Sequence, residues 1–249
     1  MELLIPEWDD LPPNVGSLTT LRRGGVSLGP YDDGQGGGGL NLGDHVGDMP
    51  QHVAHNRAML TRILPSEPVW LSQVHGTHVV DAALVQGRIE ADAAISTRRG
   101  VVCAIMTADC LPVLLCDAAG TVIGAAHAGW RGLVEGVLEN TVEAMRNAGA
   151  ADITAWLGPA IGPHRFEVGA EVKQAFEARQ TEAAQAFMPA AEEDKYFADI
   201  YTLARLRLQA LNIKKVGGGG FCTVTDSERY YSYRRDRATG RMASLIWLK

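Results

Sequence analysis

The sequence predicts one α/β domain, residues 1–249, organised around a layered sheet core. A length of 249 residues with 46% hydrophobic and 21% charged side chains fits a large globular body that buries a sizeable core. Short β-branched or apolar runs alternate with segments of helical apolar spacing along the chain. No linker-like composition shift and no internal repeat divides it, and interspersed strands and helices of this kind build layered α/β architectures.

Taken in order, YDDGQGGGG (31–39) carries too much glycine to hold regular structure without a large entropy cost, and reads as a mobile surface loop. From Pro50 to Leu64, the residues Val53, Met59, Leu60 and Ile63 recur at helical spacing and mark a first helix. VVCAIMT (101–107), LPVLLCD (111–117) and TVIGAAHAG (121–129) read as adjacent buried strands. Beyond Gly132, the residues Leu133, Val137, Leu138, Val142 and Met145 mark one amphipathic helix that Gly149 stops. ITAWLG (153–158) leads into a PAIGP turn, and helical patterns return around 172–178 and 200–211. IKKVGG (213–218), CTVT (222–225) and MASLIWL (242–248) close the chain as strand-like runs. GGGG (217–220) lacks the spacing of a phosphate-cradling loop and reads as a turn.

Composition excludes several function classes. A formal charge of −6, from 23 Lys and Arg against 29 Asp and Glu, argues against a protein that grips nucleic acid by its phosphates, and favours a small-molecule partner. The start, MELLIPEWDDLPP, is acidic where a secretory leader needs a basic segment, and no run approaches the roughly 20 apolar residues of a membrane span. A cytoplasmic protein with no membrane association is the expectation. Cys103, Cys110, Cys116 and Cys222 form no C-x-x-C pair and read as reduced thiols.

His75, Cys110 and His127 each sit where an apolar strand-like run meets a turn, a placement that can gather side chains at one sheet edge. Two imidazoles and a thiolate form a set that zinc accepts at catalytic sites, leaving a fourth position for water whose pKa falls from about 15.7 to about 7. The three residues do not form a compact signature such as H-E-x-x-H, and they have two other readings. Cys110 can be a nucleophile activated by His127 without any metal. Equally, it can be a small buried hydrophobe beside LPVLL, with the histidines satisfied by backbone groups. Spacing alone leaves all three open.

Candidate anion binders surround this trio. Arg131 lies at the start of the helix after HAGWRG, where free backbone N–H groups can receive phosphate or carboxylate. Arg22 and Arg23 precede Gly24 and Gly25, and Arg234 and Arg235 lie in YYSYRRD; each also reads as an ordinary surface or ion-pair arginine. Asn41, with Asp44 and His45, lies in a loop of the kind that often carries binding groups. His52 and His55 read as a solvated helix face.

Together, RRGGVS (22–27), NLGDHVGD (41–48), WLSQVHGTHVV (70–80), TADCLPVLL (107–115), HAGWRGL (127–133), WLGPAIGP (156–163), FEVG (166–169) and YYSYRRDRATGRMASLIWL (230–248) closely resemble the YfiH, or laccase-domain, family. The resemblance spans essentially the whole chain with motif order preserved. It implies a four-layer α/β/β/α sandwich related to the catalytic domain of cytotoxic necrotizing factor, with His75, Cys110 and His127 as metal ligands.

Members of this family have been described as copper-dependent polyphenol oxidases and as zinc-dependent purine nucleoside enzymes. The latter phosphorolyse adenosine, inosine, guanosine and methylthioadenosine, and also deaminate adenosine. A multicopper oxidase must ligate several coppers, mostly by imidazole, yet this chain has seven histidines and no His-x-His pair. The resemblance therefore points to a zinc-dependent purine nucleoside phosphorylase with adenosine deaminase activity, with copper as the alternative metal. For that chemistry Asp109, next to Cys110, is the candidate proton-moving group or partner of the ligands, and Arg22, Asn41 and Arg131 are the candidate contacts to nucleoside and phosphate. It fixes no oligomeric state and is compatible with a monomer. The rival enzyme class is a metal-free cysteine hydrolase acting on amide bonds, as in cell-wall peptide editing. The chain departs from the family pattern at DGQGGGG (33–39), which lengthens a loop expected near the substrate mouth.

Overall fold

The apolar runs fold as the elements their periodicity predicts, with a few instructive exceptions. A computed structural model describes residues 1–9 and 11–249. The first half contains β1 (Leu3–Leu4), β2 (Val15–Thr20), β3 (Arg23–Ser27), α1 (Pro50–Thr61), β4 (Val79–Asp81), β5 (Ala93–Ser96), β6 (Val102–Thr107), β7 (Leu111–Asp117) and β8 (Ile123–Ala128). There follow α2 (Trp130–Glu135), α3 (Val137–Asn147), β9 (Ile153–Leu157), β10 (Glu167–Gly169) and α4 (Ala170–Arg179). The chain closes with β11 (Phe187–Pro189), β12 (Lys195–Ala198), α5 (Ile200–Ala210), β13 (Val216–Gly218), α6 (Tyr233–Asp236) and β14 (Met242–Leu248).

Three sheets result. An antiparallel sheet has the order β1-β2-β14-β6, a mixed six-stranded sheet has the order β13-β9-β7-β8-β5-β4, and a small antiparallel sheet has the order β10-β12-β11. Side-chain alternation along the strands decides how they stack. In β7, Leu111, Val113 and Leu115 pack with Leu133, Val137, Leu138, Val142 and Met145 of α2 and α3. Leu114 and Cys116 point the other way and meet Cys103 and Ile105 of β6 and Ile246 and Leu248 of β14. On the far side of the first sheet, Val102, Ala104, Ala243 and Leu245 pack against Leu60 of α1 and Leu42. The layers run helix, sheet, sheet, helix, and strands buried on both faces explain the near-continuous apolar runs in the sequence.

Several sequence expectations change in detail. VVCAIMT is not beside LPVLLCD: β6 pairs with β14, and TADC (107–110) carries the chain from one sheet to the facing one. The helix expected beyond Gly132 is two helices, because Gly136 adopts φ 108°, a left-handed conformation that caps α2 and starts α3 at a new angle. CTVT (222–225) forms a turn and not a strand, and the GGGG segment is half strand, since Val216–Gly218 pairs in parallel with β9.

The glycine-rich loop is likewise pinned. Asp32 Oδ1 accepts the Gly34 amide, Asp33 Oδ1 accepts those of Gln35 and Gly37, and Gly39 bridges to Arg23 and Ser27. Among the described residues no helix is long and apolar enough to cross a membrane.

Candidate metal centre

The crossing between sheets positions Cys110. Asp109 adopts φ 93°, and both of its carboxylate oxygens are bound, Oδ1 by the Thr223 hydroxyl at 2.6 Å and Oδ2 by the Arg234 amide at 2.6 Å. Its carbonyl accepts the Ile161 amide at 2.9 Å. The turn that ends at Cys110 is thus fixed without using the thiol. His127 lies on β8 with Ile123 and Ala125, on the face turned toward the other sheet, and strand pairing sets Ala128 opposite Leu111. His75 belongs to a loop at the same end of the sandwich and takes φ 63°.

One carboxylate ties two of these residues together. Asp92, fully buried at the start of β5, accepts the amides of Val74 at 3.1 Å, His75 at 2.9 Å and Gly76 at 2.7 Å, and also His127 Nδ1 at 2.8 Å. Burial opposes ionisation of Asp92, but the His127 bond and charge and the loop amides outweigh it and hold the carboxyl below its ordinary range. With Nδ1 donating to Asp92, the other nitrogen of His127 is free to bind a metal.

The donor atoms of His75, Cys110 and His127 all lie within 4.8 Å of one another, and among the described residues this is the one such cluster. Cys110 Sγ stands 3.6 Å from His75 Nε2. A tetrahedral zinc with bonds of about 2.3 Å to sulfur and about 2.0 Å to nitrogen sets a sulfur–nitrogen edge of about 3.5 Å, so the spacing fits one ion. Two glycines of HAGWRG make the arrangement possible. A Cβ on Gly129 would lie 2.9 Å from His75 Cδ2 and 3.1 Å from Cys110 Sγ, and one on Gly132 would lie 2.7 Å from the Gly76 carbonyl oxygen. Gly129 therefore floors the triangle of donor atoms, and Gly132 lets α2 rest on the His75 loop.

Electrostatics separate Cys110 from the core thiols. Burial, with a smaller push from Asp81, raises Cys103 to about 12. Burial also disfavours the Cys110 thiolate, but His127 and then His75 overcome it and pull the thiol down to about 6. His127 answers in kind: burial opposes its protonation, yet Cys110 and Asp92 raise it to about 9. A thiolate at neutral pH is the form that ligates metal.

The cluster opens on a cavity of about 400 Å³, walled by Met106, Thr107 and Ala108 on one side and by His45, Gln73, Tyr233 and Arg241 on others. Larger clefts, about 600 Å³ against α1 and about 590 Å³ beside β9, lie away from the cluster, so size does not locate the chemistry here. Gln73 has both amide ends bonded to the Met106 backbone and serves as wall. Burial and the neighbouring Arg241 charge depress the His45 imidazole. Arg241 is held by its own amide on Asn41 Oδ1 at 2.9 Å, and its Nη1 donates to the carbonyls of Thr239 and Gly240 at 3.0 and 3.1 Å.

The structure brings His75, Cys110 and His127 together, with Asp109 beside them as an anchor whose oxygens are turned to Thr223 and Arg234. It does not bring the other expected contacts to the cavity wall. Arg22 is buried beneath the glycine-rich loop, bonded to Asp32 and Ser227 and stacked on Tyr231. Asn41 is fully buried, bonded to Asp48, and acts at one remove through Arg241. Arg131 is exposed against the Trp130 ring, on a helix of six residues. The loop 33–39 does not wall the cavity either.

Sequence reading missed Asp92 and Arg241. The signal for Asp92 was an acid set directly against the uniformly apolar run AAI; a carboxylate buried there requires partners.

Gly129 gives a direct check. Its φ of −58° and ψ of 154° suit alanine, so Gly129→Ala is expected to leave the fold intact while its methyl group displaces the His75 and Cys110 side chains. Metal affinity is expected to fall about tenfold or more, as for other disturbances of ligand placement, with the melting temperature unchanged or slightly raised. Chelator competition and a thermal melt measure both.

Fold and site define a layered α/β protein with a His–Cys–His candidate metal centre beside a cavity of small-molecule size. The chain belongs to the multi-copper polyphenol oxidoreductase laccase family, whose model matches residues 16–249. It is 52% identical over 250 residues to the purine nucleoside phosphorylase YfiH of Escherichia coli, covering 99% of each chain. With the purine nucleoside phosphorylase of Haemophilus influenzae it shares 45% identity over 252 residues, covering both chains completely. A crystal structure of a Neisseria meningitidis protein superposes with a TM-score of 0.92 at 48% identity, over the full length of both chains. YlmD of Geobacillus stearothermophilus superposes with a TM-score of 0.87 at 27% identity, over 100% of this chain and 98% of its own.

Proposed function

We propose that the protein is a zinc-dependent purine nucleoside phosphorylase that also deaminates adenosine. The observation that carries this reading is the convergence of His75, Cys110 and His127 on the wall of an open cavity, in a chain so similar to proteins named purine nucleoside phosphorylase. We also take residues 1–249 as one domain, a four-layer sandwich akin to the cytotoxic necrotizing factor catalytic domain. A reducing cytoplasmic setting suits Cys110, which must stay a thiolate to ligate.

Zinc bound by the three residues supplies a Lewis acid and acidifies water near neutral pH. The chain's own groups do the rest. Met106, Ala108 and the Tyr233 ring offer apolar faces for a purine, in a cavity within the roughly 300–1,000 Å³ usual for small ligands. Asp92 fixes the His127 tautomer, and Asp109 fixes the Cys110 turn. The same donor set accepts copper, and elemental analysis of purified protein discriminates between them. The remaining histidines do not gather into a second cluster among the described residues, which weighs against a multicopper oxidase.

Incubation with adenosine and phosphate is expected to yield adenine and ribose 1-phosphate by phosphorolysis, and inosine with ammonia by deamination. Metal-loaded protein that forms none of these overturns the reading.

A second reading, a metal-free cysteine hydrolase, draws support from the depressed Cys110 thiol and the raised His127 imidazole. Iodoacetamide separates the two. Under the metal reading Cys110 is alkylated only after chelation, and in metal-free protein the rate climbs through about pH 6, where its thiolate forms, instead of near the ordinary value of about 8.5. Peptide mapping keeps Cys110 distinct from Cys222, which is also partly accessible. Equal alkylation with and without chelator supports the hydrolase.

A further inference from the structure

Building on the phosphorolysis reading, we propose that Arg241 anchors the inorganic phosphate co-substrate within the cavity walled by His75, Cys110 and His127. Several buried or half-buried arginines of this protein meet a carboxylate. Arg22 is paired with Asp32 at 3.2 Å, Arg57 lies 3.7 Å from Asp44, and Arg235 is 2.7 Å from Asp236. Arg241 has no ion pair among the described residues. Its Nη1 is spent on two neutral carbonyl oxygens, those of Thr239 and Gly240, and Nη2 and Nε have no protein acceptor among the described residues.

The Cys110 thiolate and Asp109 act on Arg241 only through their charge, and no carboxylate among the described residues bonds to the guanidinium. None of the residues walling the cavity is Asp or Glu, and Asp109 nearby has one oxygen on Thr223 and the other on Arg234. A partly buried guanidinium without a carboxylate is costly to maintain unless an anion arrives to meet it. The side chain is also held in place before any ligand comes. Asn41 fixes its backbone, and its stem packs so closely on Gly43 that a Cβ there would lie 2.8 Å from Arg241 Cγ. Two free donors on a rigid planar fork match the oxygens of a phosphate. Of the reactants in question, a purine nucleoside and water carry no charge, and phosphate is the one anion. Phosphate placed here would stand in the same chamber as the metal ligands, where C1′ of the nucleoside must be attacked. The carbon–nitrogen glycosidic bond breaks with its electron pair passing to the purine, a phosphate oxygen forms the new bond to C1′, and the proton that hydrogen phosphate gives up is taken by the departing purine nitrogen.

The test uses full-length zinc-loaded protein. Arg241→Met is expected to raise the KM for phosphate about 10- to 100-fold, the worth of a charge-assisted hydrogen-bond pair, with the KM for inosine and the zinc content little changed. Arg241→Lys, which keeps the charge and loses the fork, falls between and guards against misfolding of the methionine variant. Titration calorimetry with inorganic phosphate alone reads binding without turnover: wild type binds and Arg241→Met does not. If the wild type shows phosphate-dependent base release and Arg241→Met retains the wild-type phosphate KM, the assignment of Arg241 is wrong and the phosphorylase reading stands. If the wild type shows no phosphate-dependent release, the phosphorylase reading fails. Equal heats of phosphate binding in wild type and variant overturn the Arg241 site in either case.

Discussion

Cys110→Ala is expected to lose stoichiometric metal and at least about a thousandfold in phosphorolysis, with the fold retained. Loss of metal follows from the ligand count. Three protein donors meet at this site, and removing the sulfur leaves two imidazoles, one of them on an exposed loop. The sulfur is the charged donor; zinc bound by thiolate and imidazole gains most from it. Loss of rate follows if the metal carries the polarisation that the reaction needs, since Lewis-acid stabilisation of several kcal/mol corresponds to three or more orders of magnitude.

Retention of the fold follows from how the turn is held. Asp109, through Thr223, Arg234 and Ile161, fixes the backbone that carries Cys110, and none of these bonds involves Sγ. Elemental analysis, inosine turnover with phosphate and a thermal melt form the measurement. A Cys110→Ala protein that keeps one metal per chain shows that the ion, if present, sits elsewhere. One that keeps its activity without metal removes both the metal and the nucleophile from the mechanism.

His75, Cys110 and His127 stood out in the sequence because each sits where an apolar run meets a turn, and because whole-chain motif order singled them out. Their convergence was not legible from spacing. It depends on β6 and β7 lying in different sheets, so that TADC (107–110) spans the gap between layers and carries Cys110 to the rim where β8 ends in His127 and Ala128. Local apolar pattern reads as strand in either sheet and carries no record of which partner a strand takes.

The expected substrate contacts lie off the wall of this cavity for a related reason. Arg22, Asn41 and Arg131 were singled out by neighbours in sequence, glycines or a helix start. Whether an arginine faces a cavity or a carboxylate such as Asp32 is decided by tertiary packing. Arg241, directly before β14, carries no local sequence signal; only the folded cavity wall, which lacks any carboxylate, sets it apart.

Asp92→Asn is the sharper test of how the centre is built, because it changes one atom and keeps the shape. The native carboxylate accepts four N–H donors, those of Val74, His75, Gly76 and His127 Nδ1. An ionised Asp is acceptor-only, whereas an asparagine offers one acceptor oxygen and one NH₂ that would face an N–H. At least one bond to the His75 loop or to His127 must be lost, in a position with no water access. The left-handed turn at His75 then loses part of its support, and His127 loses the charge that fixes its tautomer.

Zinc affinity is expected to fall about 10- to 100-fold, the usual effect of removing a partner of a metal-bound histidine. Stability is expected to fall by about 1–3 kcal/mol, the cost of an unsatisfied buried donor. Chelator-buffered zinc titration and denaturant melts read the two effects separately. If Asp92 acts by positioning ligands, saturating zinc restores most of kcat. If activity stays lost with the site filled, Asp92 has a part in the chemistry beyond placing His75 and His127, and unchanged zinc affinity refutes the positioning role.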